Sequence, residues 1–135
     1  MQLIETLTER HIAQLHQLYL QQTWSNTRTL EETHLVASGS SLTLAFVDND
    51  NNLIAFTRVL TDGIFKALVF DVIVDAQYRS QHLGSNLIAA VKNHPRVQRV
   101  KHIELYCLPE LQSYYQQFGF VTDIGGMQLM RLTMR

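Results

Sequence analysis

The sequence predicts a mixed α/β fold, because short apolar runs with strand character alternate with segments whose apolar residues recur at helical spacing. The run Phe70–Val74 is short and rich in β-branched residues, as in a buried strand. Downstream of it, Leu83, Leu87 and Val91 lie on one face of a helix. Residues 48–52 are all Asp or Asn, which favours a hairpin turn between two apolar runs. These patterns predict the order β-α-α-β-β-β-α-β-α-β-β.

Capping and turn residues define where the predicted helices begin and end. A Thr-x-x-Glu pattern at Thr6–Glu9, and again at Thr29–Glu32, predicts two helix starts, because the two side chains satisfy free backbone N–H groups. Gly39 ends the second helix. The third helix ends at His94-Pro95, since the residue before a proline avoids the helical conformation. The predicted strands are 3–6, 42–47, 53–60, 67–74, about 100–108, 120–122 and 127–133.

Length and composition indicate one domain that spans residues 1–135. A chain of 135 residues with 46% hydrophobic content buries about two thirds of its unfolded surface in a single core. The net charge of −1 argues against nucleic-acid and membrane partners, since both classes depend on a basic excess. No signal-like or membrane-spanning run is visible, so a cytoplasmic location is expected. The single cysteine and the scattered histidines lack ligand spacing, so no metal is expected.

The turn between the strand ending at Val74 and the next helix is the strongest functional signal. The first N–H groups of a helix have no partner within it, and they attract phosphate groups. No Asp or Glu occurs from Ala76 to Ile103, so nothing in this region repels an anion. A P-loop needs a Gly-Lys pair, which the chain lacks, and a Rossmann turn needs three glycines where only Gly84 is present.

Two motifs in this part of the chain resemble the GNAT acyltransferase superfamily. The run Arg79-Ser80-Gln81-His82-Leu83-Gly84 is similar to its acyl-CoA signature Gln/Arg-x-x-Gly-x-Gly/Ala, with His82 at the first glycine. Residues 114–120, Tyr-Tyr-Gln-Gln-Phe-Gly-Phe, are similar to the aromatic-Tyr-x-x-φ-Gly-Phe segment of the family, where φ is apolar. The resemblance implies the GNAT fold, a mixed and mostly antiparallel sheet of about six to seven strands flanked by about four helices.

The resemblance also implies that acetyl-CoA is the co-substrate and indicates where it binds. Its pyrophosphate is expected over the turn, and its pantetheine arm along the end of the preceding strand, where family members use backbone groups. The residues expected to bind the co-substrate are Ile73, Val74, Arg79, Ser80, Gln81, His82, Leu83, Gly84 and Ser85.

Three residues are candidates for the chemistry of acyl transfer, which needs an acid for the leaving thiolate and a base for the amine. Tyr115 matches the tyrosine that GNAT enzymes commonly use as the acid; packing at helical spacing is the alternative. Asp71 and Glu104 are carboxylates within apolar strand sequences, where burial costs stability. They either face one cleft as water-assisted bases with raised pKa values, or pair with Arg58 or Lys66.

Trp24 and Arg28 are the candidate acceptor residues, because the connection between the first two helices borders the acceptor site in the family. They could hold an amine by cation–π contact or a carboxylate by a bidentate bond, although Trp24 also suits core packing. The sequence thus predicts an N-acetyltransferase acting directly on an amine of a small molecule or peptide. There are two alternatives. One is an acyltransferase that uses a longer acyl-CoA, and the other is a CoA-binding sensor or interaction module without turnover. A homodimer stays open.

Overall fold

A five-stranded sheet forms the centre of the molecule in a computed structural model that describes residues 1–135. The sheet has the order β1-β2-β3-β4-β5, and only β4 and β5 pair in parallel. The mixed, mostly antiparallel sheet expected from the sequence is therefore confirmed. The strands are β1 (Gln2–Ile4), β2 (Leu42–Val47), β3 (Leu53–Thr61), β4 (Lys66–Val74) and β5 (His102–Leu105).

Helices cover both faces of this sheet. The four α-helices are α1 (Glu9–Leu20), α2 (Leu30–Gly39), α3 (Leu83–Asn93) and α4 (Gln112–Gln116), and three short 3-10 helices are Ala76–Gln81, Pro95–Val97 and Pro109–Leu111. On one face, Leu15 and Tyr19 of α1 pack against Phe56 of β3 in one apolar cluster. On the other, the buried side of α3 packs against β2, β3 and β4 in a second cluster. No helix is long and apolar enough to cross a membrane.

The starts of the first two helices show one correct and one wrong prediction. At α2, Thr29 Oγ1 accepts the Glu32 N–H and Glu32 Oε1 accepts the Thr29 N–H, both at 3.0 Å, as the sequence predicts. The capping box predicted at Thr6–Glu9 is wrong, because the N-cap of α1 is Thr8 and not Thr6. There the ring of His11 replaces the expected carboxylate, and its Nδ1 accepts the Thr8 N–H at 3.1 Å. A neutral imidazole supplies the same acceptor as glutamate.

A β-bulge in β4 separates the two halves of that strand. Phe56 pairs with Ile73 and Arg58 with Phe70, so that two β4 residues lie opposite Thr57. Asp71, the first residue of the bulge, has a φ of +56°. Thr57 Oγ1 donates to the Phe70 carbonyl at 2.8 Å, directly beside the bulge.

Beyond the bulge, β4 and β5 no longer pair. Their ladder ends at Val69 and Leu105, whereas β4 continues to Val74. The edge of β4 that faces β5 is thus unpaired from Phe70 onward. We call the space beside this unpaired edge the β4–β5 cleft.

The predicted strands at 120–122 and 127–133 are not formed, so the sheet has five strands rather than six or seven. Residues 120–135 make no backbone–backbone hydrogen bonds, and Met130, Leu132 and Met134 are exposed. The alternation of apolar and polar residues is interrupted where Leu129 and Met130 follow each other. The segment 127–133 therefore has no single apolar face to place against a neighbour, and neither predicted strand pairs with an edge of the sheet.

Candidate active site

The predicted CoA turn consists of the end of a 3-10 helix and the first turn of α3. The 3-10 helix at Ala76–Gln81 was not predicted; Asp75 caps it by accepting the Gln77 N–H at 2.9 Å. His82 joins the two helices. Arg79 to His82 are exposed, whereas Leu83 is buried in the cluster below α3. The turn thus presents polar side chains to solvent over an apolar base.

Backbone N–H groups of the turn are available to an anion. The first backbone hydrogen bond of α3 runs from the Asn86 N–H to the His82 carbonyl at 3.0 Å. The N–H groups of Leu83, Gly84 and Ser85 therefore lie outside the ladder of the helix. The His82 side chain does not cap them. The positive end of the helix dipole adds to these donors, as in known phosphate sites at helix starts.

His82 has a left-handed backbone conformation, which glycine adopts most easily. Its φ is +60° and its ψ is 24°, in the left-handed region. This conformation costs roughly 1–2 kcal/mol for residues other than glycine, and asparagine and aspartate tolerate it best among them. The turn therefore holds His82 in a conformation that costs free energy for a residue with a Cβ atom.

Gly84 allows α4 to approach the same turn. A Cβ atom added at Gly84 would lie 2.5 Å from the Tyr114 hydroxyl and 3.7 Å from Cζ of that ring. The first distance is a severe overlap, whereas the second is an ordinary contact. Tyr114 thus places its hydroxyl beside the start of α3.

Tyr115 lies at the edge of the cluster formed by α3 and the sheet. Its ring packs edge-to-face on Tyr114 at 5.1 Å and on Phe120 at 6.0 Å between ring centroids. Burial raises the pKa of Tyr115 to about 12, with smaller contributions from Tyr114 and Cys107. No buried polar atom lacks a partner, and the Tyr115 hydroxyl makes no bond within the chain, so it reaches solvent. It is a protonated donor at neutral pH.

On the other face of the sheet, Asp71 accepts hydrogen bonds from three side chains. Its Oδ2 accepts from the Tyr19 hydroxyl at 2.9 Å, from Arg28 Nη1 at 2.7 Å and from Arg58 Nε at 2.7 Å. Arg28 Nη2 donates to the other oxygen at 3.3 Å. The Asp71 side chain is 5% exposed. We call Tyr19, Arg28, Arg58 and Asp71 the Asp71 cluster.

The expectation that the pKa of Asp71 is raised is wrong. Burial alone would raise the pKa of Asp71, but the hydrogen bonds from Arg28 and Arg58, together with their positive charges, outweigh it and lower the pKa below its usual value. Burial, and then the charge of Asp71, raise the pKa of Tyr19. Pairing with Arg58, the alternative interpretation, is what the structure shows for Asp71.

Glu104 forms a separate ion pair and is not brought together with Asp71. Its Oε1 accepts from Lys66 Nζ at 2.7 Å, and both side chains are partly exposed. Its second oxygen has no partner within the chain, so Glu104 keeps an acceptor free beside the β4–β5 cleft.

Arg28 reaches the candidate acceptor region, but it is engaged within the protein. Its Cζ lies 4.5 Å from the centre of the Tyr19 ring and 5.3 Å from that of the Trp24 ring. Trp24 is exposed at one side of this stack. Sequence reasoning missed Tyr19, since its helical spacing indicates packing. The signal available was the buried carboxylate at position 71, which requires donors from elsewhere in the chain.

Residues 4–130 match the family model described as an acetyltransferase (GNAT) domain. The chain belongs to the GNAT acetyltransferase family. An acetyltransferase assigned to the same family from Xanthomonas campestris pv. campestris superposes with a TM-score of 0.81 at 23% identity and covers 98% of this chain and 94% of its own. The glucosamine-6-phosphate N-acetyltransferase of Arabidopsis thaliana reaches 0.72 at 16% identity, with 97% of both chains covered. These likenesses show that the fold is the GNAT fold.

Relatives of this GNAT chain are named N-acetyltransferases. The uncharacterized N-acetyltransferase ycf52 of Gracilaria tenuistipitata var. liui is 28% identical over 106 residues, which cover 76% of this chain and 58% of the relative. The GCN5-related N-acetyltransferase 1, chloroplastic, of Arabidopsis thaliana is 34% identical over 77 residues, 57% of this chain and 39% of the relative. The chain thus spans about half the length of these relatives. The family is one of acyltransferase enzymes.

Proposed function

We propose that this GNAT protein transfers an acetyl group from acetyl-CoA directly to the amine of a small molecule or peptide. The observation that carries the proposal is the pairing of two features on one side of the sheet. One is the row of unbonded N–H groups at Leu83, Gly84 and Ser85. The other is the solvent-reaching, protonated hydroxyl of Tyr115 on the neighbouring α4.

The acyl-CoA is expected to lie along the opened cleft between β4 and β5. The N–H groups at the start of α3 suit the pyrophosphate, and exposed Arg79 adds a positive charge nearby. The unpaired edge of β4 at Ile73 and Val74 offers backbone groups to the amides of the pantetheine arm. This placement directs the thioester toward the bulge at Asp71.

In the proposed reaction, the amine nitrogen attacks the thioester carbonyl and the C–S bond breaks with its electron pair on sulfur. The Tyr115 hydroxyl gives its proton to that sulfur and is reprotonated from solvent. The amine loses one proton, which we assign to Glu104 through water, since its Oε2 is free. Asp71 is a weaker candidate for this role, because the hydrogen bonds and charges of Arg28 and Arg58 lower its pKa and so disfavour its taking up a proton.

The test is the Tyr115→Phe variant, with Tyr114→Phe as the matched control. Loss of the Tyr115 hydroxyl should lower turnover by roughly ten- to a thousandfold and leave acetyl-CoA affinity within a few fold, because the acid acts on the leaving group. Tyr114→Phe should change the rate much less. Thiol release with a panel of amines gives the rates, and calorimetry gives the affinity. Equal turnover of wild type and Tyr115→Phe would remove Tyr115 as the acid.

A CoA-binding sensor without turnover is the second candidate, and His82 favours it. A histidine in a left-handed turn where the family motif has glycine adds a side chain at the place expected for the pyrophosphate. Binding of acetyl-CoA without thiol release across the amine panel would support the sensor. Turnover with a longer acyl-CoA and none with acetyl-CoA would instead mean that the acyl donor is not acetyl-CoA.

A further inference from the structure

The Asp71 cluster has an excess of positive charge that the protein does not neutralise. Arg28 and Arg58 share the single carboxylate of Asp71, and Tyr19 is neutral because its pKa is raised. The other ion pair on this face, Lys66 with Glu104, is neutral as a pair. The face of the sheet beside the bulge therefore carries one net positive charge, in a partly buried position.

Arg58 differs from Arg28 in that both of its terminal nitrogens are free. Its Nε donates to Asp71, and neither terminal nitrogen has a partner within the chain. In Arg28, each terminal nitrogen already donates one hydrogen bond to Asp71. The side chain of Arg58 is 14% exposed, and no buried polar atom is left unpaired, so its free N–H groups face a solvent-accessible space.

Packing holds the Arg58 guanidinium in place. Its Cζ lies 4.9 Å from the centre of the Phe70 ring, and Phe70 packs edge-to-face on Tyr106 of the chain after β5 at 5.8 Å. With one edge fixed by Asp71 and one face fixed by Phe70, the free nitrogens form a preorganised fork. Planar carboxylates fit such a fork with two parallel hydrogen bonds.

Arg58 also lies close to the point where the acceptor must react. Its cross-strand partner is Phe70, one residue beyond the last pair of the β4–β5 ladder. The guanidinium stacks on the Phe70 ring and so lies beside the end of this ladder. An acceptor that binds Arg58 through a carboxylate and places its amine in the β4–β5 cleft is therefore expected to be small.

We propose that Arg58 binds a carboxylate of the acceptor, so that the substrate is a small amino acid or a similar amine that carries a carboxylate. This inference rests on the proposed function for the identity of the reaction, but carboxylate binding at Arg58 does not depend on turnover. A positively charged site disfavours a second ammonium group on the acceptor, and a carboxylate balances the excess charge.

The test compares amino acids with their carboxamides, which keep size and amine but lose the carboxylate. Calorimetry on CoA-loaded protein would use glycine, β-alanine, leucine and phenylalanine, each beside its carboxamide. At least one acid should bind tenfold or more tightly than its carboxamide. Arg58→Gln should abolish this ratio and Arg58→Lys should reduce it. Lys92→Gln, which removes an exposed cation in the last turn of α3 on the opposite face of the sheet, should leave the ratio unchanged.

The outcomes separate this inference from the proposed function. Equal affinity for every acid and its carboxamide, or no binding of any acid, would overturn carboxylate recognition by Arg58. If thiol is still released with amines that lack a carboxylate, the proposed transferase function would stand without it. A clear preference for acids without thiol release supports Arg58 and rejects transfer. If Arg58→Gln fails to fold in a melting control, the wild-type ratio together with Arg58→Lys decides.

Discussion

His82 is a single residue whose backbone conformation and side chain can be tested separately. His82→Gly removes both the imidazole and the penalty of the left-handed conformation, whereas His82→Ala removes the imidazole and keeps the penalty. We expect His82→Gly to be more stable than His82→Ala by roughly 1 kcal/mol in urea unfolding, and to bind CoA at least as well as wild type.

The two variants also show whether the imidazole touches the pyrophosphate. A tenfold loss of CoA affinity in both His82→Gly and His82→Ala would mean that it does, and would contradict the expectation for His82→Gly. Equal stability of the two variants would show that the turn relaxes out of the left-handed region.

Tyr115 predicts an unusual pH dependence of the rate. Since its pKa is raised to about 12, Tyr115 stays protonated well above neutral pH. Deprotonation of Tyr115 should therefore not lower turnover until the pH exceeds about 11. An ordinary tyrosine, with a pKa of about 10, would cost about tenfold by pH 11. The measurement is kcat at saturating donor, corrected for thioester hydrolysis. A fall centred near pH 10 that is absent in Tyr115→Phe would contradict the raised pKa.

Asp71 shows what single residues reveal in the sequence and what they conceal. A carboxylate among apolar strand residues indicates a buried group that needs partners, and Asp71 is indeed buried and paired with arginine. The direction of its pKa shift could not be predicted, because the donors Tyr19, Arg28 and Arg58 come from α1, from the connection after it and from β3. Only the folded arrangement shows that three donors meet at one oxygen.

At the scale of elements, the contact between α3 and α4 depends on one missing side chain. Gly84→Ala should destabilise the protein, because its Cβ would overlap the Tyr114 hydroxyl at 2.5 Å. We expect a cost of about 1–3 kcal/mol, as for other overpacked positions. Tyr114→Phe removes the overlapping oxygen and leaves the ring carbon at 3.7 Å, so the double variant should recover most of the loss.

A double-mutant cycle measured by urea unfolding gives this result as a coupling free energy. Tyr114→Phe alone is the control for the hydroxyl itself. Strictly additive effects of the two substitutions would mean that α4 shifts away from α3 and that the close approach is not rigid.

Elements with strong local signals were predicted better than those that depend on a distant partner. The hairpin around 48–52 and the third helix before Pro95 follow from turn and capping residues, and both are present. The last two predicted strands would have to pair with an edge of the sheet. The alternation of apolar and polar residues within a segment does not show whether such an edge is available. The bulge at Asp71 has no local signature either, since it is set by the register of β4 against β3.

At the scale of the whole molecule, the Asp71 cluster ties α1 and the connection to α2 to the centre of the sheet. Tyr19 packs edge-to-face on Phe56 and on Trp24, so the apolar core and the ion pairs meet at one residue. The two clusters of the core lie on opposite faces of the sheet. Loss of the Asp71 charge should therefore loosen the face that carries the proposed acceptor site, with α3 and the CoA turn affected less.

The difference in the free energy of unfolding between wild type and Asp71→Asn should depend on pH. Asparagine tolerates the left-handed backbone at this position and keeps the size of the side chain, so mainly the charge is lost. In wild type the pKa of Asp71 is lowered on folding, so its contribution is present above about pH 4 and is lost as pH falls through the folded-state value. Removing one partner of a buried ion pair costs about 3–5 kcal/mol, and partial exposure of both arginines places the expected cost nearer the lower end.

Urea unfolding of wild type and Asp71→Asn at about pH 7, 5 and 3 measures this difference. The gap in the free energy of unfolding should be large at the two higher values and should narrow at the lowest, because protonated aspartate resembles asparagine in charge. Asp50→Asn, at an exposed position in the hairpin turn, is the matched control and should stay within about 0.5 kcal/mol of wild type. A gap that is constant with pH would mean that shape and hydrogen bonding, and not the charge of Asp71, hold the two arginines against the sheet.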